Sequence, residues 1–212
     1  MSNNTEKNPY LTMGRLEAFT DGVFAIAITL LVMEIKVPGH ARIEEAGSLY
    51  NALIQLWPHY LSYIVSFFVI GVWWSSMHHF HQIVKRTNHA FNLINIFFFM
   101  TIAFIPFTTA VMGEYISEPE HRQAAVTVYC LGYYLPSVAA LIMVLYAFPN
   151  YRLADPAITK KFLNTFRLKV IAGQVLTLAA LVVSFFFPLA ALVITGLAFV
   201  MFFIPPESPE YN

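Results

Sequence analysis

Hydrophobic residues occur in six long stretches, and most polar residues fall between them. The stretches cover roughly Phe19–Ile35, Tyr60–Met77, Phe91–Met112, Val126–Phe148, Val170–Phe187 and Leu189–Ile204. A helix needs about 20 mostly apolar residues to cross a bilayer, and about 17 at the short end. The pattern therefore predicts an all-α integral membrane protein with six transmembrane helices. The last two, separated by Pro188, form either a tight hairpin or a pair in which one is re-entrant. Pro106 is expected to kink the third helix.

The positions of the Lys and Arg residues predict the orientation of these helices. If both termini are cytoplasmic, the cytoplasmic side holds nine of them: Lys7, Arg15, Lys85, Arg86, Arg152, Lys160, Lys161, Arg167 and Lys169. The other side holds three: Lys36, Arg42 and Arg122. Because Lys and Arg are enriched in cytoplasmic loops, we expect cytoplasmic termini in a multi-pass protein of the cell membrane. The expected division is a cytoplasmic segment over 1–18, one helical domain over 19–204 and a cytoplasmic tail over 205–212.

Composition agrees with membrane insertion and excludes some partners. The chain is 58% hydrophobic and only 11% charged, and its mean hydropathy is +0.63. Soluble domains are about 25% charged. The net charge is zero, so nothing indicates a nucleic-acid partner.

The first apolar stretch combines two charged residues with a mixed helical face. Arg15 and Asp21 lie near its start, and ionisable groups at a membrane boundary usually serve a partner or a pathway. At 3.6 residues per turn, four residues of this stretch lie close to one line along the helix: Gly22, Ile26, Thr29 and Met33. Leu30 lies beside them on the same face. Such a face either packs closely against other helices or forms a narrow apolar ring around an axis. Helix geometry leaves both possibilities open.

Polar residues also cluster at the ends of the second and third helices, at the depth of Arg15 and Asp21. They are Trp73, Trp74, His78, His79, His81, Asn88, His89 and Asn92. A polar network joining the first three helices would satisfy groups that lipid cannot. The histidine spacing lacks the pair four residues apart, with a glutamate, that marks a zinc protease helix. No nucleophile-elbow pattern is present either. We therefore expect neither a metal site nor an enzyme.

Three motifs resemble those of a known family. Arg15-x-x-x-Phe19-Thr20-Asp21-Gly22, followed by Ala-Ile-Ala-Ile-Thr-Leu-Leu, resembles the first-helix signature of the TMEM175 family of potassium-permeable channels, in its prokaryotic single-repeat form. Trp73-Trp-Ser-Ser-Met-His78-His79, together with Asn92 and Pro106-Phe-Thr, is similar to the family's second- and third-helix patterns. Thr20 stands where the family usually has serine, and this difference keeps the hydroxyl.

The resemblance implies a homotetramer in lipid whose four first helices line a pore for K⁺, with no cofactor. It places the tightest apolar ring at Ile26, followed by layers at Thr29 or Leu30 and then at Met33. The TVGYG filter of ordinary potassium channels is absent from this sequence. A structural network would hold the pore helices in place. Its residues are Arg15, Phe19, Thr20, Asp21, Trp73, His78, His79 and Asn92.

Two other function classes remain open at this point. A proton-coupled secondary transporter would use Asp21 and the histidines as a relay. A scaffold protein would carry no ions. Flux that is independent of a proton gradient would exclude the transporter, whereas no flux at all would favour the scaffold.

Overall fold

The described part of the chain is helical almost throughout. The protein is represented by a computed structural model that describes residues 13–203, 209 and 211. The α-helices are α1 (Gly14–Leu31), α2 (His40–Ala46), α3 (Leu49–Gln55), α4 (Trp57–Ile83), α5 (His89–Ala103), α6 (Ile105–Tyr115), α7 (Arg122–Ala147), α8 (Lys160–Ser184) and α9 (Pro188–Phe203). Single 3-10 turns occupy Val32–Glu34 and Pro149–Tyr151. Residues 1–12 of the expected N-terminal segment, and 204–208, 210 and 212 at the other end, lie outside the described residues.

Five helical segments are long and apolar enough to cross a membrane. They are Gly14–Glu34, Trp57–Ile83, His89–Tyr115, Arg122–Ala147 and Lys160–Ser184. The predicted all-α class is thereby confirmed, and five of the six predicted spans are found as candidate membrane helices. The sixth apolar helix, α9, has 16 residues. At 1.5 Å per residue it is shorter than the hydrocarbon core, which is about 30 Å thick.

Several helices begin at residues whose side chains cap the first turn. Asn88 accepts a hydrogen bond from the Phe91 N–H at 2.9 Å, at the start of α5. Thr159 does the same for the Phe162 N–H at 3.2 Å, at the start of α8. These bonds satisfy N–H groups that have no partner within their own helix.

The third span is interrupted at Phe104, two residues before Pro106. α5 ends at Ala103, and α6 begins at Ile105 with Pro106 in its first turn. The hydroxyls of Thr108 and Thr109 each donate to the Ile105 carbonyl at 2.9 Å. Pro106 itself donates no backbone hydrogen bond, and the two threonine hydroxyls bond to a helix carbonyl just after the break.

The helices enclose a core of large apolar side chains crossed by a chain of buried hydroxyls. Fully buried residues include Phe24, Ile70, Phe91, Phe98, Ile102 and Met143. The Ser66 hydroxyl oxygen on α4 lies 2.7 Å from that of Thr109 on α6 and 3.4 Å from that of Tyr129 on α7. Tyr129 is in turn 2.9 Å from Tyr133. Polar groups on three helices therefore satisfy one another inside an apolar interior.

Gly132 permits the close packing of α7 against α6. A Cβ atom at this position would lie 2.9 Å from Thr108 Cγ2 and closer still to Thr108 Oγ1. Thr108 is itself fully buried and cannot move aside freely. The helix contact therefore depends on the absence of a side chain at residue 132.

We predict that Gly132→Ala lowers the free energy of unfolding by about 1–3 kcal/mol, as overpacking of a filled core does. The measurement is thermal unfolding of the purified protein in detergent. Gly71→Ala is the matched control, because no described atom beyond its chain neighbours and the adjacent backbone of α4 lies within 4 Å of the Cβ position there. Equal unfolding temperatures for the two variants would contradict the assignment of a tight α6–α7 contact at Gly132.

Candidate functional site

One stripe of α1 is buried in its own chain. Thr20, Phe24, Ala27 and Leu31 are each at most 2% exposed, and their spacing of four, three and four residues places them on one side of the helix. This side packs against α4, α5 and α6. The Phe24 ring lies 6.2 Å from that of Phe98 on α5. The stripe fixes how α1 is rotated relative to the rest of the chain.

The opposite face of α1 is exposed in the single chain. Ile26 is 62% exposed, Leu30 41% and Met33 71%. Thr29 is also exposed, and the Cβ position at Gly22 has no described atom within 4 Å beyond its chain neighbours and the adjacent backbone of α1. This is the mixed face that helix geometry selects from the sequence. Met33 lies just beyond α1, in the 3-10 turn Val32–Glu34, because the α-helix ends earlier than the apolar stretch.

The hydroxyl of Thr29 is oriented by its own helix. Its oxygen lies 3.0 Å from the Ala25 carbonyl and 2.9 Å from the Ile26 carbonyl, and it donates to them. A hydroxyl carries one proton and two lone pairs. Since the proton is held by the helix backbone, the lone pairs remain available on the exposed side. This orientation favours a cation over an anion.

Asp21 is held by a tryptophan on α4. Its Oδ1 accepts a hydrogen bond from Trp74 Nε1 at 2.9 Å. The Trp74 ring stacks on His78, with 6.0 Å between ring centroids. One turn of α4 therefore carries both the ring that bonds to Asp21 and the ring that stacks on it. Sequence reasoning named Trp74 in the polar cluster but did not include it among the site residues, although its spacing of four residues from His78 places the two rings on one face.

A second link joins the start of α1 to α5. The Phe19 ring contacts Phe99 edge-on, with 5.4 Å between centroids. The Thr20 hydroxyl donates to the Leu16 carbonyl of its own helix at 2.8 Å, and the Thr20 side chain is buried. We call Phe19, Asp21, Trp74, His78 and Phe99 the collar of α1.

The remaining residues of the expected network point to other parts of the chain. Trp73 packs between Phe98 and Phe202, and His79 stacks on Phe166 of α8. Asn92 accepts a hydrogen bond from the Thr87 hydroxyl at 2.6 Å. Arg15 forms no ion pair with any of the described residues, 13–203, 209 and 211. The structure thus brings Asp21 and His78 together around Trp74 and places Trp73, His79 and Asn92 elsewhere.

Metal ligands do not converge in the described part of the chain. No three His, Cys, Asp or Glu side chains there lie close enough together to hold one ion.

Comparison with known proteins identifies close relatives of this arrangement. The profile of the family described as "Endosomal/lysosomal potassium channel TMEM175" matches residues 15–106, which run from α1 to the first turn of α6. A crystal structure of a lysosomal potassium-selective channel TMEM175 homolog from Chamaesiphon minutus superposes with a TM-score of 0.82 at 33% sequence identity. The superposition covers 92% of this chain and 98% of that one.

The relatives of known sequence are named as channels. A potassium channel of Chamaesiphon minutus is 51% identical over 112 residues, which are 53% of this chain and 55% of that protein. This chain therefore spans about half the length of that relative. The human endosomal/lysosomal proton channel TMEM175 is 31% identical over 138 residues, which are 63% of this chain and 27% of that protein.

One relative aligns over almost its whole length. A potassium channel of a Chryseobacterium species is 31% identical over 204 residues, covering 94% of this chain and 97% of that protein. The family consists of ion channels and not of enzymes, in agreement with the lack of a catalytic pattern in the sequence. The chain belongs to the TMEM175 family.

Proposed function

We propose that the protein is a homotetrameric, potassium-permeable channel in which α1 of each subunit lines the pore. The observation that carries this proposal is the exposed face of α1, which its own chain leaves without a cover while the opposite stripe is fully buried. Gly22 and Thr29 on that face suit close approach and contact with water better than contact with lipid. The names of the bacterial relatives support K⁺ as the permeant ion.

In this proposal α9 completes six membrane crossings per subunit. Pro188 starts α9 soon after α8 ends at Ser184, so the two helices form a hairpin. An even number of crossings places both termini on one side. The distribution of Lys and Arg supports a cytoplasmic location for the termini and insertion in the cell membrane.

Four copies of Ile26 would form the narrowest part of the pore. A ring of apolar side chains resists filling by water and can control permeation by dewetting. An ion that passes such a ring loses part of its hydration shell. K⁺ holds its water less tightly than Na⁺, so this loss costs K⁺ less and favours its passage.

Thr29 would offset part of that dehydration one turn further along. Its lone pairs lie on the exposed face because its proton is bonded to the helix backbone. Four such oxygens would coordinate a cation weakly, and Leu30 and Met33 would continue the apolar wall. Selectivity then arises from restricted hydration and a few oxygens, without a backbone-carbonyl filter.

The collar would set the position of α1 and hence the width of the pore. Asp21 is bonded to Trp74, and Phe19 packs on Phe99, so α1 is tied to both α4 and α5 at one end. Arg15 lies six residues, or about 1.7 turns, before Asp21 and belongs to the same end of the helix. In this proposal these residues position the pore helix and do not coordinate ions.

We predict that purified protein in liposomes conducts K⁺ in preference to Na⁺, without ATP and without an imposed proton gradient. The measurement is flux of each ion, followed with an ion-sensitive dye. Flux that requires a proton gradient would identify a coupled transporter. No flux above empty liposomes in several lipid mixtures would overturn the channel proposal and favour a scaffold.

We predict that Ile26→Asn lowers the K⁺/Na⁺ permeability ratio, because a polar ring admits water and removes the dehydration step. The ratio should approach that of the two ions' mobilities in water, and it is measured as a reversal potential in planar bilayers. Leu197→Asn on α9 is the matched control, since Leu197 is 60% exposed and lies outside α1. An unchanged ratio in Ile26→Asn would show that Ile26 is not part of the filter.

We predict that Trp74→Phe destabilises the protein by about 1 kcal/mol, a decrease of roughly 2–4 °C in Tm. The substitution removes the hydrogen bond from the indole to the Asp21 carboxylate. Because this bond is exposed to solvent, its removal costs little free energy of unfolding. Thermal unfolding measures the change, with Trp57→Phe as the control at another exposed tryptophan of α4. In an Asp21→Ala background, Trp74→Phe should add little. Fully additive losses would argue against a direct Asp21–Trp74 interaction.

A further inference from the structure

A pocket of about 410 Å³ opens where α7 ends and α8 begins. Lys160, Asn164 and Arg167 of α8 form one wall, and residues 148–151 after α7 form the other. Pockets that hold small ligands usually have volumes of about 300–1,000 Å³. The pocket lies at the opposite end of α8 from the α8–α9 turn and well outside the exposed face of α1.

The pocket carries positive charge that its own residues do not neutralise. Lys160, Asn164 and Arg167 are spaced by four and three residues, so they share one face of α8. Asn164 Oδ1 accepts a hydrogen bond from Arg167 Nη2 at 3.2 Å, which orients the guanidinium and leaves its other N–H groups available. No carboxylate in the described ranges forms an ion pair with Lys160 or Arg167.

The same face of α8 continues as an exposed apolar stripe. Its members, in order from the pocket, are Ile171 (36% exposed), Val175 (59%), Leu178 (43%) and Val182 (51%). Each lies within about 60° of Lys160 around the helix at 3.6 residues per turn. One helix face therefore presents two cations at its start and an uncovered hydrocarbon surface along the rest of its length.

We propose that this pocket binds the phosphate headgroup of an anionic phospholipid, whose acyl chains lie along the apolar stripe of α8. Arg and Lys form charge-assisted hydrogen bonds with phosphate oxygens, and basic pockets at the ends of membrane helices recognise acidic headgroups. A free phosphate would use the cations alone, whereas a phospholipid matches the cations and the stripe together. The inference rests on the transmembrane arrangement of the proposed function and does not depend on ion conduction.

The test is native mass spectrometry of the full chain in neutral detergent with added phosphatidylglycerol or phosphatidylcholine. We expect phosphatidylglycerol to bind more tightly, and Lys160→Gln/Arg167→Gln to weaken it about 25-fold, at about fivefold for each cation removed. Arg167→Gln alone should weaken it about fivefold. Lys161→Gln is the matched control: it removes the same charge from the next residue, which is exposed and does not line the pocket.

Three outcomes would overturn the proposal. Equal binding of the two lipids would remove the role of the headgroup charge. An equal loss in Lys161→Gln and Arg167→Gln would show general attraction to a basic surface. Full displacement of phosphatidylglycerol by millimolar inorganic phosphate would identify a site for free phosphate. Ion flux in liposomes is measured separately, so a protein that binds the lipid but conducts no K⁺ would overturn the channel and leave this site intact.

Discussion

One side of α1 is packed against α4, α5 and α6, and this packing determines what the opposite side can do. Phe24, Ala27 and Leu31 fill the contact completely, so the helix cannot rotate without opening a cavity in a close-packed interior. Ile26 and Thr29 consequently point away from the chain's own core. Every part of the proposed pore depends on this rotational setting, because a rotation of about 180° would exchange the exposed and buried sides of α1.

Two polar groups on α1 are ordered by partners that are already present in the single chain. Asp21 is fixed by the Trp74 indole, and the Thr29 hydroxyl is fixed by backbone carbonyls of its own helix. Neither group needs a bound ion to adopt its orientation. Preorganised groups of this kind lose little conformational freedom when a ligand arrives. The carboxylate thus strengthens the helix attachment, while the hydroxyl offers its lone pairs to the exposed face.

The sequence predicted the apolar helical segments and grouped Ile26 and Thr29 on one face of α1, because both follow from local periodicity. The residue contacts at the collar were less predictable. Trp73 and Trp74 are neighbours with the same chemistry, and only the packing of α4 decides that Trp74 meets Asp21 while Trp73 meets Phe98 and Phe202. The short helices α2 and α3 were also missed, since a mixed segment of this length has no clear period. The Lys and Arg residues of α8 can be read from the sequence. The pocket could not be predicted, because its second wall is formed by the turn after α7.

The order in which the helices are synthesised determines when the buried stripe of α1 can be covered. α1 precedes α4, α5 and α6 in the chain, so the helices that cover Phe24 and Leu31 are all synthesised after it. α1 can therefore be covered on that side by its own chain only after the third span has been synthesised. Its two sides are then covered at different stages: one during maturation of the single subunit and the other, in the proposed channel, only when finished subunits meet. In the proposed channel, subunit folding would in this way be a precondition for pore assembly.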